Sequence, residues 1–176
     1  MKTSVALCTY NGEKYIKEQL DSILNQTVPV DEIVICDDIS NDATHDIINQ
    51  YCVKFPNIIK FHINEVNLRS VKNFEKAISL CTNEIIFLSD QDDIWHLEKV
   101  KHFIEYFENH PKIDVVASNW FCIDDNSKIH EKYQDILEKI LREIRSKGVS
   151  VVLLSQGIEE FNQPTFDFSS MCEISF

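Results

Sequence analysis

Two alternating periodicities predict an α/β fold: a mostly parallel sheet with helices on both faces. Short apolar runs of strand type alternate with stripes of helical period over residues 1–118 of the 176-residue chain. Such alternation implies right-handed crossovers and a covered parallel sheet. A second observation agrees with the first. Polar and acidic residues gather where the apolar runs end, at Thr9-Tyr10-Asn11, Asp37-Asp38 and Asp90-Gln91-Asp92-Asp93. In open parallel sheets ligands bind beyond the carboxyl ends of the strands, so these clusters converge on one crevice.

The elements follow in order. Residues 4–8 (SVALC) form the first strand, and Tyr15, Ile16, Leu20, Ile23 and Leu24 then mark one face of a helix. Residues 32–36 (EIVIC) are the second strand, and residues 41–51 the second helix, with Ser40 or Asn41 as its N-cap. Residues 58–62 are the third strand, followed by a helical face at Val71, Phe74, Ile78 and Cys81. Residues 84–89 are the fourth strand, and Leu97, Val100, Phe103, Ile104 and Phe107 give the next stripe. A fifth strand is expected at residues 114–118. Beyond residue 120 the alternation stops. Tyr133, Ile136, Leu137, Ile140, Leu141 and Ile144 predict one long amphipathic helix, residues 149–154 a strand or a continuation of it, and residues 170–176 a last strand.

Composition narrows the function. Lys plus Arg is 17 against 29 for Asp plus Glu, a formal net charge of −12. That argues against a general nucleic-acid binder or a polybasic membrane surface, since both need positive fields to meet phosphates. An acidic protein that handles phosphates needs a metal ion. The three glycines, Gly12, Gly148 and Gly157, cannot spell the glycine-rich phosphate loops of dinucleotide or P-loop proteins. Six cysteines form no CxxC and read as reduced core thiols. Six histidines show no metal-binding spacing and read as surface or structural residues. No secretory pattern and no apolar run of ~18–20 residues is present, so a cytoplasmic location is expected.

Asp90-Gln91-Asp92-Asp93 is the most informative cluster. Hard carboxylate oxygens at a strand end suit Mg²⁺ or Mn²⁺ bound together with a diphosphate; the alternative is a surface turn whose aspartates cap the next helix. An Asp37 or Asp38 carboxylate suits the N–H edge of a base, or a cap for the following helix. Thr9 and Tyr10 offer a hydroxyl and an aromatic face, or form a plain strand-to-helix turn.

The segments VALCTYNG (5–12), SILNQT (22–27), IVICDDISNDAT (33–44) and FLSDQDDIW (87–95) together resemble family 2 glycosyltransferases of the Rossmann-related GT-A fold, in that family's order and at its approximate spacing. The resemblance covers residues 3 to about 120, and the Asp-Gln-Asp-Asp-Ile-Trp form further resembles bacterial polysaccharide-assembly and rhamnosyltransferase-type members. It implies transfer of a sugar from a UDP- or dTDP-sugar to a saccharide or lipid-linked saccharide acceptor, metal-dependent and inverting. It implies nucleotide-binding roles for Thr9, Tyr10, Asn11, Asp37, Asp38, Arg69, Asp90 and Gln91, with Asp38 on the ring N–H of uracil or thymine. Asp92 and Asp90 would hold Mn²⁺ or Mg²⁺, and Asp93 is a candidate acceptor-side carboxylate. Many relatives carry Gly where this chain has Arg69.

The resemblance divides the chain, within one domain, into a donor-binding region at residues 1–120 and a partial or divergent acceptor-side region at residues 121–176. The family's general base lies downstream, and Asp167 and Glu173 are the late acids near that place, neither in a recognisable base motif. The expectation is a donor-binding half with little acceptor half, from a truncated gene product or a short divergent member, acting in the cytoplasm or at the inner membrane face. A donor-binding module without transfer activity is the second reading. A phosphohydrolase with Asp90 as nucleophile is a third, disfavoured because it leaves Asp37-Asp38 and Thr9-Tyr10 unexplained.

Overall fold

The computed structural model describes residues 1–116 together with Ser118 and Ile123. Eight elements alternate strictly: β1 (Thr3–Thr9), α1 (Ile16–Leu24), β2 (Glu32–Asp37), α2 (Thr44–Lys54), β3 (Ile59–Ile63), α3 (Arg69–Leu80), β4 (Ile85–Asp90) and α4 (Lys99–Asn109). The strands form one parallel sheet in the order β3-β2-β1-β4. Two units are distinguished, Met1–Asp114 and Val115–Phe176, and all eight elements belong to the first.

Strand order decides which face each helix covers. From β1 through β2 to β3 the chain steps one way across the sheet, so right-handed crossovers put α1 and α2 on the same face. From β3 it returns past β1 to β4, so α3 lands on the opposite face. The period of two then sorts the strand residues. Val5, Leu7, Ile33, Ile35, Ile85 and Phe87 meet Ile16, Leu20 and Ile23 of α1, Ile48 and Tyr51 of α2 and Val100 of α4. Ala6, Cys8, Val34 and Cys36 meet Phe74 and Ala77 of α3. β1 and β2 are buried throughout, which is why they read as unbroken apolar runs.

The structure differs from the sequence expectation in three places. The apolar face of α3 is rotated: Val71 and Ile78 are exposed, and the buried positions are Asn73, Phe74 and Ala77. The cause is Asn73, whose amide donates to Cys36 O at 2.9 Å and is thereby drawn onto the sheet. The second helix begins at Thr44 with Ala43 as its N-cap, in place of Ser40 or Asn41, and Asp42 just before it accepts from Thr44 N at 3.0 Å. Asp114, Val115 and Val116 carry no strand assignment and Ala117 lies outside the described residues, so the fifth strand is not among the described elements. The stripe from Tyr133 to Ile144, the runs at 149–154 and 170–176, and Asp167 and Glu173 also lie outside the described residues. Cys8 and Cys36 are buried free thiols, and Cys52 and Cys81 are half-buried free thiols.

Candidate active site

β1 is flanked by β2 on one side and β4 on the other. The direction of travel across the sheet reverses there, which is where a parallel sheet opens a crevice beyond its strand ends. The ends of the three strands meet in register: Thr9 is opposite Asp37, and Cys8 opposite Asp90. A cavity of about 330 Å³ opens at that edge. Six of the residues picked out by sequence line it: Thr9, Tyr10, Asp38, Arg69, Asp90 and Gln91. Asn11, Asp37, Asp92 and Asp93 do not line it. Cys8, Asn67, Ser70 and Asn73, which the sequence reading did not select, do.

The adjacent aspartates Asp37 and Asp38 have different jobs. Asp37 is fully buried beneath the turn that follows β2. Its carboxylate accepts from Thr9 Oγ1 at 2.7 Å and Ser40 N at 2.8 Å, and lies 2.6 Å from His45 Nε2. Burial pushes the carboxyl up, but these hydrogen bonds outweigh burial and hold it below the usual aspartate range. Asp38 instead faces the cavity and crosses to α3. Its Oδ1 accepts from Leu68 N at 2.6 Å and Asn64 Nδ2 at 2.8 Å, and its Oδ2 accepts from Arg69 N at 2.8 Å. Asp38 therefore holds the start of α3 from the loop just past β2. It also holds Arg69 at φ 60°, in the left-handed region that disfavours side chains.

Gln91 grips the loop after β1. Its Oε1 accepts from Tyr10 N at 2.8 Å and its Nε2 donates to Tyr10 O at 3.0 Å. The Tyr10 ring stays half exposed at the cavity, an available stacking face. The β1–α1 and β2–α2 loops are laced together. Asn11 N donates to Ser40 Oγ at 2.8 Å, Asn41 N to Asn11 Oδ1 at 2.9 Å, and Gly12 N to Thr44 Oγ1 at 2.8 Å. Asn11 sits at φ 49° within this lacing.

The Asp90–Asp93 turn is built from below. Trp95 is buried against Phe87, and its backbone N–H donates to Ser22 Oγ at 3.0 Å. Gln26 Nε2 donates to His96 O at 2.8 Å. Ser22 and Gln26 both lie in the SILNQT segment that carries the resemblance, but periodicity gave no sign that they anchor this turn. Asp92 is exposed, yet its carboxyl is raised, first by desolvation from the surrounding chain and then by the charge of Asp93. Among the described residues no three His, Cys, Asp or Glu side chains meet in a metal-sized cluster. Of the two carboxylates expected to hold a hard cation, Asp90 lines the cavity, beside space for further oxygen ligands, and Asp92 does not line it.

Residues 4–162 match the sequence profile of glycosyl transferase family 2. The chain belongs to this family. The family 2 domain is 35% identical over 133 residues to an uncharacterized glycosyltransferase of Methanocaldococcus jannaschii, covering 74% of this chain and 46% of that protein. It is 38% identical over 104 residues to a dTDP-rhamnosyl transferase of Shigella flexneri, covering 56% of this chain and 36% of that one. Among solved structures it resembles TarS residues 1–349 of S. aureus in complex with UDP. The TM-score is 0.57 and the identity 33%, covering 63% of this chain and 33% of that chain. The UDP-GlcNAc complex of the same protein gives a TM-score of 0.58 at 32% identity, over 63% of this chain and 32% of that chain. The chain spans less than half the length of the curated relatives it matches. Among the described residues no helix is long and apolar enough to cross a membrane.

Proposed function

We propose that the chain binds a UDP- or dTDP-sugar in the cavity between β1 and β4 and passes the sugar to an acceptor hydroxyl with inversion. The single observation that carries this reading is the cavity itself. One carboxylate edge (Asp38), one aromatic face (Tyr10) and one acidic turn (Asp90) border the same space at the sheet's reversal point. The complexes of TarS with UDP and UDP-GlcNAc support a nucleotide-sugar donor. The dTDP-rhamnosyl relative supports either pyrimidine nucleotide. The acceptor class is a saccharide or lipid-linked saccharide, met in the cytoplasm or at the inner face of the membrane.

Each residue has a chemical task. Tyr10 stacks on the base, and Asp38 accepts its ring N–H. Thr9 and Asn11 shape the base wall through their bonds to Asp37 and the Ser40 turn. Arg69 supplies the cation at the cavity rim, and Asp90 and Gln91 close its floor. Asp90 and Asp92 would hold Mn²⁺ or Mg²⁺. The ion, when bound, supplies the positive charge that a departing nucleoside diphosphate requires. Asp93, half-buried beside Asp92, is the described carboxylate proposed for the acceptor side.

Calorimetry with UDP and dTDP, with and without Mn²⁺, followed by a transfer assay, tests the reading. Metal-dependent nucleotide binding that Asp92→Asn weakens at least tenfold is expected. Binding without turnover assigns the chain to the donor-binding module alone. No metal-dependent nucleotide binding overturns both.

A further inference from the structure

A line of buried amides runs behind Asp38 and is used by none of the roles above. Asn64, just past β3, and Asn73, on α3, are 5% and 2% exposed. Asn64 Nδ2 has two hydrogens, and both are spent: one on Asp38 Oδ1 at 2.8 Å, the other on Asn73 Oδ1 at 2.9 Å. Asn64 Oδ1 accepts from Lys76 Nζ at 2.7 Å. Asn73 Nδ2 donates in turn to Cys36 O, which ties the group to β2.

This arrangement permits one orientation. Turning the Asn64 amide over would set its oxygen against Asp38 Oδ1 and Asn73 Oδ1, and its nitrogen against the Lys76 ammonium, so all three contacts would become repulsive. The consequence falls on Asp38. Each carboxylate oxygen has about two acceptor positions. On Oδ1 both are filled, by Asn64 and by Leu68 N; on Oδ2 the bond from Arg69 N leaves one, among the described residues.

We propose that Asn64, locked by Lys76 and Asn73, is a positioning residue for Asp38. It saturates one carboxylate oxygen and leaves a single acceptor position on the other, so that the site takes a base presenting one ring N–H. The proposal rests on the reading that Asp38 meets the base. A uracil or thymine ring donates such an N–H. Cytosine presents a lone pair at the same ring position, which a carboxylate repels. With Asn64 gone, Oδ1 regains a free acceptor position and the carboxylate is free to tilt toward other donors, including the exocyclic amine of cytosine.

The experiment compares binding of UDP and CDP to the 176-residue chain, in wild type, Asn64→Ala and Lys76→Met, with thermal melting as the check on folding. Wild type is expected to prefer UDP over CDP, and Asn64→Ala to lower that preference about tenfold, the worth of one hydrogen bond to a charged group. Lys76→Met lowers it about threefold, because the half-exposed ammonium only biases the amide. A general loss of stability would weaken both nucleotides alike and leave their ratio unchanged. No UDP preference in wild type overturns the Asp38 base reading itself. A wild-type preference that survives intact in a folded Asn64→Ala overturns the positioning role. If Asn64→Ala does not fold, Lys76→Met decides: an unchanged ratio there overturns the role equally.

Discussion

Gly12 shows how one missing carbon holds a site in shape. A Cβ at that position would lie 2.3 Å from Gln91 Oε1 and 2.8 Å from Gln91 Cδ. Gln91 is the side chain that grips Tyr10 by two hydrogen bonds. Gly12→Ala would push the amide aside, costing about 1–3 kcal/mol from two bonds at roughly 0.5–1.5 kcal/mol each. It would also loosen the Tyr10 face and weaken UDP binding. The same change made in a Gln91→Ala background should cost little, since the clash and the clamp have gone together. Melting temperatures of the four proteins in this double-mutant cycle check the claim, and simple additivity contradicts it. Arg69 is the opposite case. Its left-handed backbone favours glycine, yet a long cationic side chain stands there, held by the Asp38 carboxylate.

The elements act through their connections more than through their interiors. The β1–α1 and β2–α2 loops share hydrogen bonds, and Thr44, fully buried at the start of α2, is central to them. Thr44→Val keeps the shape and strips the acceptor from Gly12 N. The buried N–H is left unpaired, at a cost of about 1–3 kcal/mol. Denaturant unfolding measures the loss, and a change below about 0.5 kcal/mol contradicts the lacing. Periodicity located all eight elements, because strand and helix patterns depend only on which side chains leave water. It missed the rotation of α3, because Asn73 counts as polar in any pattern and its burial depends on finding Cys36 O and Asn64 across the chain. The strand-end reading likewise left Asp37 and Asp38 undistinguished. Only the contacts with Thr9, Ser40 and His45 show that Asp37 supports the turn while Asp38 lines the cavity.

Across the described unit, the edge opposite the cavity carries its own clasp. Glu32, 4% exposed at the start of β2, accepts from Lys60 Nζ on β3, Ser4 Oγ on β1 and Thr82 N, and so joins three strands to the segment that leads into β4. Burial alone would raise its carboxyl, but these donors outweigh burial and pull it down to about 2. A carboxyl depressed in the fold stabilises above its unfolded value of about 4.5 and loses that contribution as pH falls toward about 2. Glu32→Gln should therefore cost about 1–3 kcal/mol at pH 7. The gap to wild type should narrow on acidification through that window. Melting curves from pH 7 to pH 2 test it; a gap constant with pH would show that the charge of Glu32 contributes nothing.

The sequence by itself determined the layers and the edge at which the cavity opens. Apolar period and strand-end polarity are local properties of the chain, and so is the clustering of Asp37-Asp38 and Asp90–Asp93. Tertiary structure decided which of those carboxylates line the cavity and which are consumed by the scaffold. It also brought in Asn64, Asn73 and Lys76, whose contact with Asp38 spans 26 residues at its nearest link. Side-chain hydrogen bonds of that kind join residues from separate strands and helices. Their partners exist only after the crossovers have set the strand order, and no periodicity along the chain encodes them.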